Sequence, residues 1–283
     1  MAGGVGDTCV SLGLMAGTVV LVGVVRGLWE PEARRLRPLV LELLATFQLC
    51  ACTHELVVQA RLDPSPHLGL TLSYLSSLVH GLTLPGALAN PCAVLHKVAA
   101  EGLAVRTALL KVAAQVAGAL LARAYALSVR SLGLAERHRP DRRPACRPPL
   151  PADVPRACLV EAICSFIYHS AVVQFRDVRP KLRVHLLAAL VTFLVFAGKR
   201  SEQQDEVWTG VGRDRRQGGG GSITGAVFNP ALALSLHMKC FQGEFHNFAI
   251  VYWVGPTAGI AMMVLMYRFF LPWLNRKRSL KFE

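Results

Sequence analysis

An Asn-Pro dipeptide that occurs twice, each time closing a matched stretch, constrains this chain more than any other feature. The copies are Asn90-Pro91-Cys92 and Asn229-Pro230-Ala231, the second inside the longer run Thr224-Gly225-Ala226-Val227-Phe228-Asn229. Upstream of each lies an apolar span that carries an acid. Glu42 opens Glu-Leu-Leu-Ala-Thr-Phe (42–47), and Glu161 opens Glu-Ala-Ile-Cys-Ser-Phe (161–166). The chain therefore divides into two halves, each running from an acid-bearing span to an Asn-Pro loop. Internal repetition of that kind marks a transporter or channel with its site between the halves.

Hydrophobic residues make up 53% of the chain and come in blocks. A span of about 20 mostly apolar residues crosses a bilayer. Seven blocks are candidates: Cys9–Val25, Leu39–Val58, Leu68–Pro85, Thr107–Val129, Val154–Phe175, Val184–Gly198 and Phe248–Leu271. Two shorter apolar pieces, Cys92–Ala100 and Ala231–His237, follow the Asn-Pro pairs. In hydrocarbon only helices and closed barrels satisfy every backbone polar group. The blocks lack strict alternation, so the expected class is an all-α integral membrane protein.

The net charge of +13 does not call for a nucleic-acid partner, because the Lys and Arg residues cluster between the spans, where the positive-inside preference places them. Arg34, Arg35 and Arg37 precede the second span. Lys97, Arg106 and Lys111 follow the first motif, charged residues run from Arg176 to Arg183, and Arg276, Lys277, Arg278 and Lys281 form the tail. If the spans from Leu39 onward alternate, all four groups share one side, the cytoplasmic one. The Arg-rich segment Arg130–Arg156 and the mixed-charge stretch Lys199–Gln217 fall on the other.

Glu42 and Glu161 lie 119 positions apart, whereas Asn90 and Asn229 lie 139 apart. The second half thus holds extra residues between its acid and its motif, and the polar, Gly-rich stretch Lys199–Gly221 has room for them. It reads either as a flexible insertion outside the membrane or as a fragment foreign to the fold, such as unspliced sequence; the second reading is preferred.

The motif itself points to a pore. Pro is favoured at the first helical position, and Asn before it is a good N-cap. Each Asn-Pro pair therefore starts a short apolar helix in mid-membrane, lying end-on to something polar. Two such N-termini each present partial positive charge. The amides of Asn90 and Asn229, freed to point inward, donate to the oxygen of a passing neutral molecule. Gly225 and Ala226 are small enough for unwound backbone to approach its neighbours. Ionisable groups inside a membrane are usually functional, so Glu42 and Glu161 are candidates for a proton relay. Since each half has one at a similar depth, the preferred role is support: a carboxylate accepting from exposed N–H groups of the loop in its own half.

Paired Asn-Pro boxes, each preceded by a Glu-bearing helix, resemble the aquaporin (major intrinsic protein) family. The resemblance covers Leu36 to Leu274. Asn90-Pro91-Cys92, Thr-His-Glu-Leu at 53–56 and Phe-Asn-Pro-Ala-Leu-Ala-Leu-Ser-Leu-His at 228–237 are similar to its unorthodox, or superaquaporin, branch. The resemblance implies six spanning helices, two half-helices meeting at the bilayer midplane, and a homotetramer with one pore per subunit. It implies pore motifs at Asn90, Pro91, Cys92, Asn229, Pro230 and Ala231, a filter that includes Leu232 and Ala226, and loop supports at Glu42, Glu161, Thr224 and Gly225. Where water-selective members carry Arg, this chain has Leu232, so a fixed charge with a fork of donors is missing and the filter is expected to be less polar. Cys92 replaces Ala in the first box and is read as a packed thiol.

No Cys-x-x-Cys or metal-like spacing occurs among the eight cysteines, so no zinc site, disulfide framework, catalytic constellation or cofactor is expected. Cys50 and Cys52 face different directions on a helix, and Cys146 is placed to pair between subunits in an oxidising compartment. His54, His80, His169, His185 and His237 read as packing residues. No Asn-x-Ser/Thr acceptor occurs. The Arg276-Lys277-Arg278 tail reads equally as a retention signal or a positive-inside flank, and the family branch favours the endoplasmic-reticulum membrane over vesicle or plasma membrane.

The expected organisation is an N-terminal hydrophobic segment and basic linker (1–35), a channel domain (36–274) and a basic cytoplasmic tail (275–283). The repeats run about 36–132 and about 154–274, with the polar insertion about 199–221. Cys9–Val25 is expected to be an extra helix packed on the bundle rather than a signal peptide. The functional expectation is a passive channel, not an enzyme, for water and small uncharged solutes, glycerol and hydrogen peroxide among them. The alternative is a weakly conducting or non-conducting structural or partner-binding membrane protein.

Overall fold

The computed structural model of the protein describes residues 2–29, 36–62, 66–134, 154–208 and 225–273. Among these residues the regular structure is helical, without strands. In chain order the helices are α1 (Ala2–Trp29), α2 (Arg37–Leu62), α3 (Pro66–Thr83), α4 (Pro91–Glu101), α5 (Val105–Ser131), α6 (Val154–Gln174), α7 (Pro180–Trp208), α8 (Pro230–Gly243) and α9 (Phe245–Trp273). Helix α9 loosens into π-turns at Ile250–Val254 and Met266–Phe270. Four of the helices begin on Pro, at 66, 91, 180 and 230, where its missing N–H costs nothing and its fixed φ is already helical.

Six helices among the described residues are long and apolar enough to cross a membrane: α1, α2, α5, α6, α7 and α9. The seventh span expected from the sequence, Leu68–Pro85, forms α3 but falls outside that set. Its leucines are interrupted by Ser73, Tyr74, Ser76, Ser77, His80 and Thr83, which lowers its hydropathy without breaking the helix. Helix α7 also departs from expectation. It continues past Gly198 to Trp208, so Lys199–Trp208, read as the start of a loop, extends a helix. The rest of the polar insertion, 209–221, lies outside the described residues, as do Cys146 and the tail from 274.

The architecture is an inverted repeat of three long helices and one short helix: α2, α3, α5 with α4, and α6, α7, α9 with α8. Packing repeats along with sequence. In the first half Gly118 of α5 lies against the Leu43 carbonyl and the Phe47 backbone of α2. In the second, Gly259 of α9 lies against the Ala162 carbonyl and the Phe166 backbone of α6. Leu43 and Ala162 each follow the repeat's acid, so the two contacts are equivalent. Small residues let membrane helices approach backbone to backbone, and here there is no room for a side chain. The two halves also meet through α3 and α7, where Tyr74 and His185 share a hydrogen bond of 2.7 Å.

Helix α1 stands outside the repeat and packs antiparallel along α2. Thr8 near its start donates to Gln59 near the end of α2 (3.1 Å). Val22 near its end is buried with Leu44 and Ala45 near the start of α2. Arg26 then donates to the Thr83 carbonyl at the end of α3 (2.6 Å).

Candidate functional site

The two Asn-Pro loops are built alike. Gly86-Ala87-Leu88-Ala89-Asn90 and Gly225-Ala226-Val227-Phe228-Asn229 match position for position. Their backbones match too: Gly86 and Gly225 have φ of 89° and 77°, and Ala89 and Phe228 have φ of 48° and 34°. Ala226 is left-handed as well, at 46°. Glycine adopts such angles freely; for Ala and Phe each costs on the order of 1–3 kcal/mol and persists only where its surroundings hold it.

The acids hold them. The Glu42 carboxylate, fully buried, accepts from the backbone N–H of Leu88 (3.1 Å) and Ala89 (2.9 Å). Glu161, also fully buried, accepts from Val227 (3.0 Å) and Phe228 (2.6 Å). Hydrogen bonds to a charged acceptor are worth about 1.5–3 kcal/mol each, so two per loop are comparable to the backbone strain. The first acid has further partners on α5. Gln115 donates to it at 2.9 Å, and Lys111 forms an ion pair with it at 2.8 Å. Lys111 is therefore not a loop charge on the cytoplasmic flank, where its sequence position placed it. It turns inward one helical turn before Gln115, onto the same carboxylate.

Each asparagine then does two things. Its carbonyl oxygen caps its own helix: Asn90 Oδ1 accepts from the Cys92 N–H (2.9 Å), and Asn229 Oδ1 from Ala231 (3.1 Å) and Leu232 (3.3 Å). Its amide nitrogen reaches into the other repeat. Asn90 Nδ2 donates to the Phe228 carbonyl (3.1 Å), and Asn229 Nδ2 donates to the Ala89 carbonyl (2.8 Å). The left-handed residues supply both acceptors, each aimed at the opposite asparagine. The start of α4 and the start of α8 are thus clasped together by two reciprocal bonds. The amides are not wholly free, as the motif alone suggested: one of the two hydrogens on each nitrogen holds the opposing loop.

Around the clasp the walls are apolar. Cys92 is buried with a free thiol, and Ala231 is buried beside Cys50, Ala51, Ala119 and Ala122. Leu232 is half-buried, packing on that cluster and on the one holding Val227, Ala233 and Phe248. The Ala226 methyl is buried with Cys164 and Leu194 between α6 and α7. Pro91 and Pro230 start their helices, Gly225 supplies its positive φ, and Thr224 lies outside the described residues. Helix α8 breaks at His237 (φ −115°, ψ 25°), where the apolar piece Ala231–His237 ends. There Arg123 of α5 donates to the Ser235 carbonyl (3.1 Å), His54 shares a hydrogen bond with the Ser235 hydroxyl (3.1 Å), and His237 stacks on Tyr252. No group of three or more His, Cys, Asp or Glu placed to hold a metal occurs among the described residues.

Sequence reasoning missed Lys111, Gln115 and Gly86. Each left a signal. Gly86-Ala87 stands as far before Asn90 as Gly225-Ala226 before Asn229, and a lysine inside an apolar span points inward toward a counter-ion.

No family model matches the chain. Curated relatives do. The chain is 47% identical to aquaporin-11 of Equus caballus and 46% identical to aquaporin-11 of Homo sapiens, each over 97% of this chain and 94% of the relative. It is 33% identical to aquaporin-12 of Mus musculus over 81% of this chain and 74% of that relative. The chain belongs to the aquaporin family. It is a multi-pass membrane channel with the aquaporin fold, in the superaquaporin group, and not an enzyme.

Proposed function

We propose that this aquaporin is a passive channel for water and small uncharged solutes, glycerol and hydrogen peroxide among them, in the endoplasmic-reticulum membrane. The observation that carries the reading is the reciprocal asparagine clasp. Two helix N-termini face each other across it, each adding partial positive charge, and each amide nitrogen keeps a second hydrogen for a solute oxygen. Positive helix ends at a constriction repel cations and protons. In this reading Asn90, Pro91, Cys92, Asn229, Pro230 and Ala231 form the constriction. Glu42 and Glu161, with Thr224 and Gly225, hold the loops. Leu232 and Ala226 set an apolar filter, which relaxes selection against solutes larger than water. The subunits assemble as homotetramers.

The test is permeability of purified protein in liposomes: osmotic water flux, glycerol flux, and peroxide entry read by an enclosed probe. Rates above those of empty liposomes, abolished in Asn90→Asp/Asn229→Asp, support the channel. A second reading, a weakly conducting or structural member, draws on the near-complete burial of Asn90 and Asn229 (6% and 5% exposed). Rates equal to empty liposomes for all three solutes, from folded protein, select that reading.

A further inference from the structure

Helix α6 sets a hydroxyl beside the clasp. Tyr168 follows Glu161 by seven residues, nearly two full turns, so it stands on the same face as the carboxylate and about 10 Å further along. Its ring lies on that of Phe228, with centroids 5.2 Å apart and planes tilted by 33°. Phe228 is the residue whose carbonyl takes the Asn90 amide. In the first repeat the matching position is Leu49, seven residues after Glu42. Leu49 packs on the cluster that holds Ala89, and Tyr168 on the cluster that holds Phe228. Each half thus places one side chain beside the left-handed residue of its own loop, and only the second half places a hydroxyl there.

The neighbours on α6 fix where Tyr168 points. Leu159, Ile163 and Ile167 form an exposed apolar stripe, the face toward the bilayer. His169 is almost fully buried; its ring packs edge-on to Tyr168 at 5.2 Å, and its Nδ1 lies 2.9 Å from the Ser165 carbonyl. Tyr168 turns instead toward α7 and the loop, half-buried on Cys164, Leu194, Ala226 and Phe228. Its hydroxyl has no hydrogen-bond partner among the described residues, and it is not sealed in as His169 Nε2 is. An unpartnered hydroxyl is costly to seal among apolar groups; this one borders open space.

We propose that Tyr168 lines the solute path next to the clasp and that its hydroxyl sets solute preference there, an inference that rests on the channel reading above. The asparagine amides only donate, whereas a phenol both donates and accepts. A solute whose oxygen takes an amide hydrogen therefore has a group to which it gives one of its own. Water and a polyol both fit that description. Glycerol has more hydroxyls to strip of water, so it gains more from a second station. Leu49 offers nothing of the kind, and the path is apolar on one side of the clasp and hydrogen-bonding on the other.

Two measurements on the full chain in liposomes test this. Tyr168→Phe keeps the ring on Phe228 and loses only the hydroxyl. Its glycerol flux is expected to fall about two- to tenfold, the net worth of one hydrogen bond, with a smaller fall in water flux and an unchanged unfolding temperature. Tyr267→Phe, which removes a hydroxyl bonded to Gln174 at the surface (2.7 Å), leaves both fluxes as they were. An unchanged glycerol-to-water ratio in folded Tyr168→Phe overturns the proposal. Water access is read separately from conduction. Tyr168→Cys and Ile167→Cys are treated with a small water-soluble methanethiosulfonate, and the modified peptide is identified by mass spectrometry. Position 168 is expected to react, whereas position 167, facing hydrocarbon, cannot form the reactive thiolate. No reaction at 168, or equal reaction at both positions, overturns the placement in the path whether or not the protein conducts. Reaction at 168 with all fluxes equal to those of empty liposomes instead overturns the channel reading, and the solute preference with it, while the water-filled path stands.

Discussion

The Glu42–Lys111 ion pair gives the sharpest test of how the first loop is held. The pair is 2.8 Å apart, and its side chains are 1% and 15% exposed, so solvent screening is weak. Glu42→Gln removes the charge and one of the oxygens that accept from Leu88, Ala89 and Gln115. It also leaves Lys111 buried without its anion, and breaking a buried pair from one side costs about 3–5 kcal/mol. Lys111→Met removes one charged hydrogen bond but leaves the carboxylate three donors, so the expected loss is smaller, about 1.5–3 kcal/mol. In the double variant neither charge remains, and the uncompensated-charge share of the two single losses disappears. The double variant is therefore expected to be more stable than the sum of the singles implies, by about 2 kcal/mol, within the range known for residues in direct contact. At about 2–4 °C per kcal/mol for a chain near this size, Glu42→Gln lowers the unfolding temperature by roughly 6–20 °C, and adding Lys111→Met recovers several degrees relative to additivity. Unfolding in one detergent, followed by tryptophan emission for all four proteins, reads the cycle. Additivity within about 0.5 kcal/mol would mean that Lys111 does not act on Glu42, and the loop-bracing account would fail.

Three further outcomes follow from the geometry. A methyl at Gly259 or Gly118 runs into the carbonyl of Ala162 or Leu43; since that neighbour is backbone, Gly118→Ala and Gly259→Ala should each lose at least about 1–3 kcal/mol of stability, and an unchanged unfolding temperature for either refutes the close approach. Asn229→Ala removes both the cap on α8 and the bond to the Ala89 carbonyl, for a loss of about 1–3 kcal/mol; the mirror variant Asn90→Ala should match it within about 1 kcal/mol, and a loss confined to one of them shows that the clasp is not reciprocal. Leu232→Arg adds bulk and fixed donors and should lower glycerol flux more than water flux; an unchanged or rising glycerol-to-water ratio in liposomes shows that position 232 does not face the solute.

The parts of the fold that were legible in the sequence are those that repeat as residue types. Glu42 and Glu161, Asn90 and Asn229, and the apolar blocks around them stand out because each half needs the same buried acceptor, the same cap and the same hydrocarbon-matched length. The limit of α3 was not legible: its leucines have the spacing of a span, and only the count of Ser, Tyr, His and Thr among them lowers its hydropathy. The helix through Lys199–Trp208 was hidden for a related reason. Charged and polar residues such as Lys, Arg, Glu and Gln are poor membrane residues but good helix formers, so a drop in hydropathy ends a span without ending a helix. The clasp was hidden in a different way. It depends on Ala89 and Phe228 holding a left-handed backbone, which neither residue type signals.

Lys111 exposes the limit of reading by repetition. Gly118 and Gly259 make equivalent contacts, and seven residues before each stand Lys111 and Tyr252. One is a cation paired with the first repeat's acid; the other is a buried aromatic against which His237 stacks. Four residues on, Gln115 donates to Glu42 where the second repeat has Pro256, whose carbonyl accepts from Ser165 on α6. The loops nevertheless turn alike, with left-handed backbone at Gly86 and Gly225 and again at Ala89 and Phe228, although Ala226 is left-handed where Ala87 is not. What the two halves share is set by the backbone: two N–H groups that need a carboxylate, and two carbonyls that need an amide. The residues behind each carboxylate are under no such constraint, and they are free to differ in charge. At the matched positions the two repeats of this aquaporin therefore differ behind the loops rather than in them, with Lys111 paired to Glu42 where the second repeat has Tyr252.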